Sequence, residues 1–360
     1  MDVMKTRQAI AALNTYVPGE RRADALKLAS NENPLGCSPS VATAVQDAVR
    51  ELHIYPDGGA RDLVARIAAH RGVAPEQIIT GNGSDEILVL IAGTYLEAGD
   101  RVLIADHTFS EYEFAARLYG AEVVTVPMQN LEIRPLDYLP RIDERTRIVF
   151  LCSPNNPTGG AFSQAELEEF MAGVPQDVLV VVDHAYIEYQ TDPDAADADA
   201  LIDRYANLIV LHTFSKVYGI AAVRLGYGIA QPQRIEEIKR VRQPFSVNSV
   251  AQQAGIAALA DQEFVQRSLA TNLAGMQRLQ ALCARLGFPT LPSQANFLAV
   301  EVPIDAREAA EFIARRGVTV RALTSFNLPR HLRITIGTDA HLDRLEPILE
   351  ELAAAYPAAG

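Results

Sequence analysis

The chain has only three cysteines in 360 residues, Cys37, Cys152 and Cys283. Odd in number and far apart, they supply neither a disulfide framework nor a zinc-ligand spacing. No apolar run is long enough to span a bilayer, which excludes a helical membrane segment. The opening MDVMKTRQAI lacks the long apolar stretch of a secretion signal, so the expected location is cytoplasmic. Basic residues are in short supply: 32 Lys+Arg against 45 Asp+Glu leave a net charge of −13. That balance disfavours nucleic acid and anionic membrane surfaces as partners. The acidic excess has one dense run, Thr191 to Asp199, which reads as a solvated loop. There is no internal repeat and no low-complexity linker. What is present is ordinary for a soluble globular protein, with 49% hydrophobic and 21% charged residues. The length suits two domains, or one large α/β unit with an appendage.

Apolar periodicity divides the chain into two textures. Strands are expected at 77–80, 101–105, 122–126, 147–151, 178–182, 208–212 and 225–230, with helices at 109–119, 163–173 and 232–242. Near-continuous apolar strands alternating with helices predict a mostly parallel sheet covered on both faces. Upstream, Ser38-Pro39 opens a helix through Val41, Val45 and Val49, and Leu63, Ile67 and Ala68 mark another. After Pro244, helical patterns at 248–260 and 262–286 lead into short strands at 297–302, 318–321 and 332–336. Helices at 305–316 and 339–355 separate them, the texture of a smaller α+β domain. The expected division is an arm and part of the small domain over 1–45, a large domain over 46–245, and a small domain over 246–360.

Ligands of a parallel α/β sheet sit beyond the carboxyl ends of its strands. The stretch from Leu208 to Ala230 is therefore central: a buried strand breaks into Thr213-Phe214-Ser215-Lys216, and Arg224 precedes the next strand. A lysine desolvated among apolar residues favours its neutral, nucleophilic amine, which condenses with a carbonyl cofactor. Taken alone, the same tetrapeptide reads equally well as a surface turn. After 77–80, Gly81-Asn82-Gly83-Ser84-Asp85 leads into a helix start suited to a phosphate. Glu86 stands where the third glycine of a dinucleotide fingerprint belongs, and a plain glycine turn fits as well. Phe109 offers a stacking face or a core residue, and Ser153 to Gly159 is a rigid turn able to aim an asparagine amide inward. Asp183 ends an apolar strand and needs a cationic or hydrogen-bonding partner. Amine, carboxylate, phosphate cup with arginine, amide, phenol and aromatic face together match pyridoxal phosphate.

Across nearly the whole chain run KLASNENPLG, YPDGG, GNGSDEI, SPNNPTGG, DxAYIEY, TFSKVYG, RLGYGIA, SQANF and LRITIG. Through these the sequence resembles the fold-type I aminotransferases, and within them the histidinol-phosphate aminotransferase group. The resemblance implies the α/β, PLP-dependent transferase fold type I, a large domain with a mostly parallel seven-stranded sheet plus a smaller α+β domain. It implies pyridoxal 5'-phosphate as cofactor, transamination of L-histidinol phosphate with 2-oxoglutarate in histidine biosynthesis, and a homodimer with shared active sites. Matched by motif, the catalytic residues are Lys216, which holds the cofactor, Asp183, which pairs with its ring nitrogen, and Tyr186. Asn156 and Tyr186 bond the phenolate oxygen, and Phe109 stacks on the ring. Ser84 and Asp85 (through backbone N–H), Thr213, Ser215 and Arg224 hold the phosphate, and Tyr55 reaches the phosphate of the neighbouring subunit. Tyr16 and the Asn31-Glu32-Asn33 segment line the substrate pocket. Arg321 and Arg333 hold the substrate phosphate and the carboxylate of glutamate, anions that suit arginine. No metal ligand is implied.

The sequence departs from the family at His107, usually proline, at His184, usually glutamate, and at Ala221-Ala222, usually alanine-glycine. Such histidines either retune the cofactor and add an acid–base group near neutral pH, or are drift away from the reacting atoms. An aromatic (phenylalanine) aminotransferase shares these motifs; a phosphothreonine decarboxylase and arginine-oxidising relatives are neighbours. From a different class, Asp106-His107, Asp183-His184 and His212 at strand ends would suit a metallohydrolase.

Overall fold

The computed structural model describes residues 6–11, 13, 22 and 24–357. Helix α1 (Gln8–Ala11) and strand β1 (Leu26–Lys27) precede helices α2 (Pro39–Ala48) and α3 (Arg61–Arg71). Then follow β2 (Ile78–Gly81), α4 (Gly83–Tyr95), β3 (Arg101–Ala105), α5 (Ser110–Leu118), β4 (Glu122–Val126), β5 (Thr146–Cys152) and α6 (Gln164–Gly173). Next come β6 (Leu179–Asp183), β7 (Leu208–Thr213), β8 (Gly226–Ala230), α7 (Pro232–Lys239), α8 (Ser249–Ala260) and α9 (Gln262–Leu286). The chain closes with β9 (Phe297–Glu301), α10 (Ala306–Ala314), β10 (Val318–Thr319), β11 (Arg321–Ala322), β12 (His331–Thr335) and α11 (Asp339–Ala355).

Seven strands form one sheet in the order β2-β8-β7-β6-β5-β3-β4. Successive side chains of a strand face opposite sides, so a strand buried at every residue is covered on both faces. Strands β6 and β7 meet that condition, with Val180, Val181, Val182, Ile209, Val210 and Leu211 fully buried. The pairings of β4, β3, β5, β6 and β7 are parallel, whereas β8 runs antiparallel to both β7 and β2. That reversal positions the site. The start of β8 lies at the same edge as the end of β7, Gly226 opposite Thr213, so the residues between them stay at that edge.

Helix starts follow local chemistry. Ser38 Oγ accepts the N–H of Val41 at 3.3 Å with Pro39 as the first helical residue, and Ser163 with Glu166 forms a capping box on α6. Helix α8 lies beyond the expected boundary at 245/246, yet its Ala251, Ala254 and Ala258 join the core of the large sheet, as does Val41 of α2. Its small residues allow close approach: a Cβ on Gly255 would lie 2.5 Å from Leu225 and 2.9 Å from Leu63. A second core gathers Leu28, Leu279, Leu282, Leu298, Ile313, Leu332 and Leu345 around β9, β12 and helices α9 to α11. The single strand expected at 318–321 is two. β10 pairs parallel with β1, while β11 pairs antiparallel with β12. The partner β1 is two residues long, too short for alternation to reveal it.

Candidate active site

The sheet edge where β2, β6 and β7 end carries the polar groups. The chain leaves β2 through Asn82 and enters α4, whose first N–H groups have no acceptor within the helix and mark its positive dipole end. Glu86 takes the Asn82 N–H at 2.6 Å, and the N–H groups of Ser84 and Asp85 lie at the helix start beside it. Space is tight here. A Cβ on Gly226 would lie 2.4 Å from the Ser84 nitrogen, and one on Gly83 (φ +77) 2.5 Å from Arg224 Nη2. Glycine at both positions is what brings β8 and Arg224 against the helix start. Arg224, itself in the left-handed region at φ 57, donates to Asp85 Oδ2 at 2.8 Å, Ala221 O at 3.1 Å and Ser215 Oγ at 3.4 Å. The Ser215 N–H donates to Thr213 Oγ1 at 3.1 Å, and both residues are buried. Helix N–H groups, hydroxyls and a guanidinium form a donor set of a kind that suits a phosphate.

Asp183, the last residue of β6, is 3% exposed. Its Oδ2 accepts the Tyr112 hydroxyl at 2.7 Å and its Oδ1 the Ala185 N–H at 3.0 Å. Burial pushes its pKa up to about 6, and those two donors and Lys216 hold it back. Lys216, half-buried beyond β7, directs Nζ at Ser30 O, 3.5 Å away, and lies 5.6 Å from the Tyr186 ring centroid. Burial first, then the Arg333 charge, lowers its amine to about 8. Tyr186 is buried edge-on to Phe297, and its oxygen accepts from Asn31 Nδ2 at 2.9 Å. Arg333 donates to Asn156 Oδ1 and, at 2.9 Å, to Ala29 O. Arg321 stands directly opposite Arg333 in the β11–β12 pair, so the two share one face. Like charges at that spacing repel, and an anion between them relieves the repulsion. Phe109, half-buried, meets Tyr112 edge to face at 5.6 Å.

Pyridoxal phosphate suits this donor set. A buried carboxylate met, among the described residues, by a phenol and a backbone N–H suits a ring N–H, a lowered lysine amine suits an aldehyde, and the α4 cradle suits a phosphate.

Other residues singled out above lie elsewhere. Tyr16 falls outside the described residues. Tyr55 is 80% exposed and stacks on Phe245 at 4.9 Å. The Asn33 amide is committed: Nδ2 donates to Val217 O (2.7 Å) and Ser268 Oγ (2.8 Å), and Oδ1 accepts from Leu35 N–H. It ties the 28–36 segment to the residue after Lys216. His184 is fully buried, donating from Nδ1 to Ser153 O (2.6 Å) and accepting the Ala198 N–H at Nε2 (3.0 Å). Burial and then the neighbouring His212 depress it to about 4, so it stays neutral and links backbone segments. His212 lies between Arg71 (3.1 Å) and Asp199 (2.9 Å), and the ring of His107 bonds Phe326 O at 2.7 Å. Among the described residues, no group of three or more His, Cys, Asp or Glu is placed to hold a metal. The same residues include no helix long and apolar enough to cross a membrane. One site residue, Tyr112, escaped the sequence reading. Tyr112 follows Phe109 by three positions, the helical spacing that would have flagged it. Asn31 was read as pocket lining, and its bond to Tyr186 arises from a fold 155 residues apart.

Comparison with known proteins bears on this arrangement. The family model for aminotransferase class I and II matches residues 23–346. The histidinol-phosphate aminotransferase of Halalkalibacterium halodurans is 42% identical over 361 residues, covering 98% of each chain. That of Moorella thermoacetica is also 42% identical, covering 98% of this chain and 94% of its own. The crystal structure of histidinol-phosphate aminotransferase from Sinorhizobium meliloti in complex with pyridoxal-5'-phosphate superposes with a TM-score of 0.89. It is 29% identical and covers 97% and 98% of the two chains.

Proposed function

Because the chain belongs to the class I and II aminotransferases and has the fold type I architecture, we propose that it transaminates L-histidinol phosphate with 2-oxoglutarate, using pyridoxal 5'-phosphate. The carrying observation is the joint placement, at one sheet edge, of a depressed lysine amine, a buried carboxylate and an anion cradle. Identity of 42% over nearly full length to curated histidinol-phosphate aminotransferases supports the choice of amino donor, as do the paired Arg321 and Arg333, which suit a phosphate in one half-reaction and a carboxylate in the other.

When bound, pyridoxal phosphate supplies an electron sink for the pair released at the substrate Cα and carries the amino group between donor and acceptor. Lys216 Nζ would hold the cofactor covalently, and its amine would serve as the general base that takes the substrate Cα proton. An amine near 8 suits both tasks at neutral pH. Asp183 holds the proton on the ring nitrogen, which keeps the ring electron-accepting. Asn156 and Tyr186 would hold the ring oxygen, and Phe109 would stack on the ring. The N–H groups of Ser84 and Asp85, with Thr213, Ser215 and Arg224, anchor the phosphate. Asn33 acts on the substrate pocket through the loop it ties down.

We take the working unit to be a homodimer in which Tyr55 of one protomer reaches the other's phosphate. Tyr55 itself, its stacking partner Phe245 and its sequence neighbours Leu52 and Ile54 are exposed large apolar side chains, which supports it. The same reading places the enzyme in the cytoplasm, in histidine biosynthesis. The test assays purified protein loaded with pyridoxal phosphate, with 2-oxoglutarate and either L-histidinol phosphate or phenylalanine as donor. Glutamate formed at a higher kcat/KM with histidinol phosphate supports the assignment; preference for phenylalanine sinks it.

A further inference from the structure

We propose that Tyr112 is a positioning residue for the cofactor: its hydroxyl keeps the Asp183 carboxylate oriented and unprotonated for a cationic ring nitrogen, while its ring sets the attitude of Phe109. The inference rests on reading this site as a pyridoxal phosphate site. Tyr112 is fully buried on α5, stacked on Phe150 with centroids 5.0 Å apart and planes 8° from parallel. That stack fixes the ring, and its edge meets Phe109 at 83°. The hydroxyl then reaches Asp183 Oδ2 at 2.7 Å, the only side-chain donor to that carboxylate among the described residues.

The groups facing Asp183 come from several elements. Tyr112 on α5 and the Ala185 N–H beyond β6 donate to it, and Lys216 beyond β7 adds a positive charge. Asp85 on α4 opposes these with a negative charge, and burial opposes them more. Cys152 on β5 and Tyr186 beyond β6 are held neutral by burial. Burial, together with Asp183 itself, also raises the Tyr112 phenol far above its ordinary range, so it remains a donor at every working pH. A carboxylate in so dry a place takes up a proton readily, and a protonated Asp183 cannot accept from a ring N–H. The tyrosine hydroxyl is what the chain uses against that loss.

Tyr112→Phe removes the hydroxyl and keeps both ring contacts. Losing one hydrogen bond to a carboxylate raises its proton affinity roughly tenfold. The test measures the dissociation constant of pyridoxal 5'-phosphate from the full-chain holoenzyme, wild type and Tyr112→Phe, between pH 5.5 and 8.5. The ratio of variant to wild type should be close to one at pH 8.5, where Asp183 is ionised in both. It should rise to roughly fivefold at pH 6, where the variant must release a proton to bind. A ratio within twofold across the range overturns the proposal. So does a loss of equal size at every pH, which is the signature of packing damage. If the wild type binds no cofactor at all, the parent reading of the site fails with it.

Discussion

Asp183→Asn in the cofactor-free protein should stabilise the fold while destroying the site. The wild-type carboxyl moves from 3.8 to about 6 on folding because burial penalises its charge. Two pH units of difference correspond to about 3 kcal/mol. The sign follows from proton counting. Between pH 3.8 and 6 the folded chain keeps a proton that the unfolded chain has released, so this group favours folding as pH falls through that window. Above pH 6 both states are ionised and the full penalty stands. Asparagine carries no charge but turns an NH2 toward one of the two donors, Tyr112 or the Ala185 N–H, forfeiting about 1 kcal/mol. The net expectation is a gain of about 2 kcal/mol at pH 7.5, reversing to a small loss near pH 4. Urea unfolding of the cofactor-free protein at both pH values measures it. A wild type more stable than the variant at pH 7.5 would refute the claim that this carboxylate is buried without an adequate partner.

Lys216 should react with an aldehyde and borohydride far faster than the exposed lysines at pH 7.5, since an amine near 8 is roughly 200-fold richer in its neutral form than one at 10.5. Peptide mapping across pH checks this, and an inflection near 10.5 for Lys216 would contradict it. Lys216→Ala should abolish transamination and that trapping together. Gly226→Ala should cost about 1–3 kcal/mol by overpacking and weaken phosphate and cofactor binding at least tenfold, because its Cβ would meet backbone atoms of Ser84 and His212. Unchanged affinity by dialysis would show that the cradle tolerates displacement. Asp199→Ala leaves the buried Arg71 and His212 short of a partner and should lower stability by about 3–5 kcal/mol. A melting curve superimposable on wild type would mean that water reaches this cluster.

Much was legible because the relevant signals are local. Apolar runs marked β6 and β7 most clearly, since a strand covered on both faces must be apolar throughout, whereas the edge strand β4 is partly exposed. The small domain was harder. β1 and β10 are two residues each, and their pairing joins Leu26 to Val318 across the chain, a contact that no local period encodes. Helix α8 carries alanines on several sides, so its pattern did not say which core it would join. The two unusual histidines show the same limit. His184 follows Asp183 directly, but alternation along an extended strand sends its ring to the opposite face, where it bonds Ser153 and Ala198.

Sequence alone determined which chemical groups are available: the amine, the carboxylate, the glycine-flanked helix start and the two arginines. Residue type and spacing carry that information without any contact being made. Tertiary structure alone decided what those groups become. Antiparallel β8 returns Arg224 to the helix start, and Tyr112 reaches Asp183 across 71 residues of chain. Burial moves the lysine and the aspartate toward each other in proton affinity. Desolvation and through-space charge depend on what surrounds a side chain in three dimensions, and neither is written at the position that feels them.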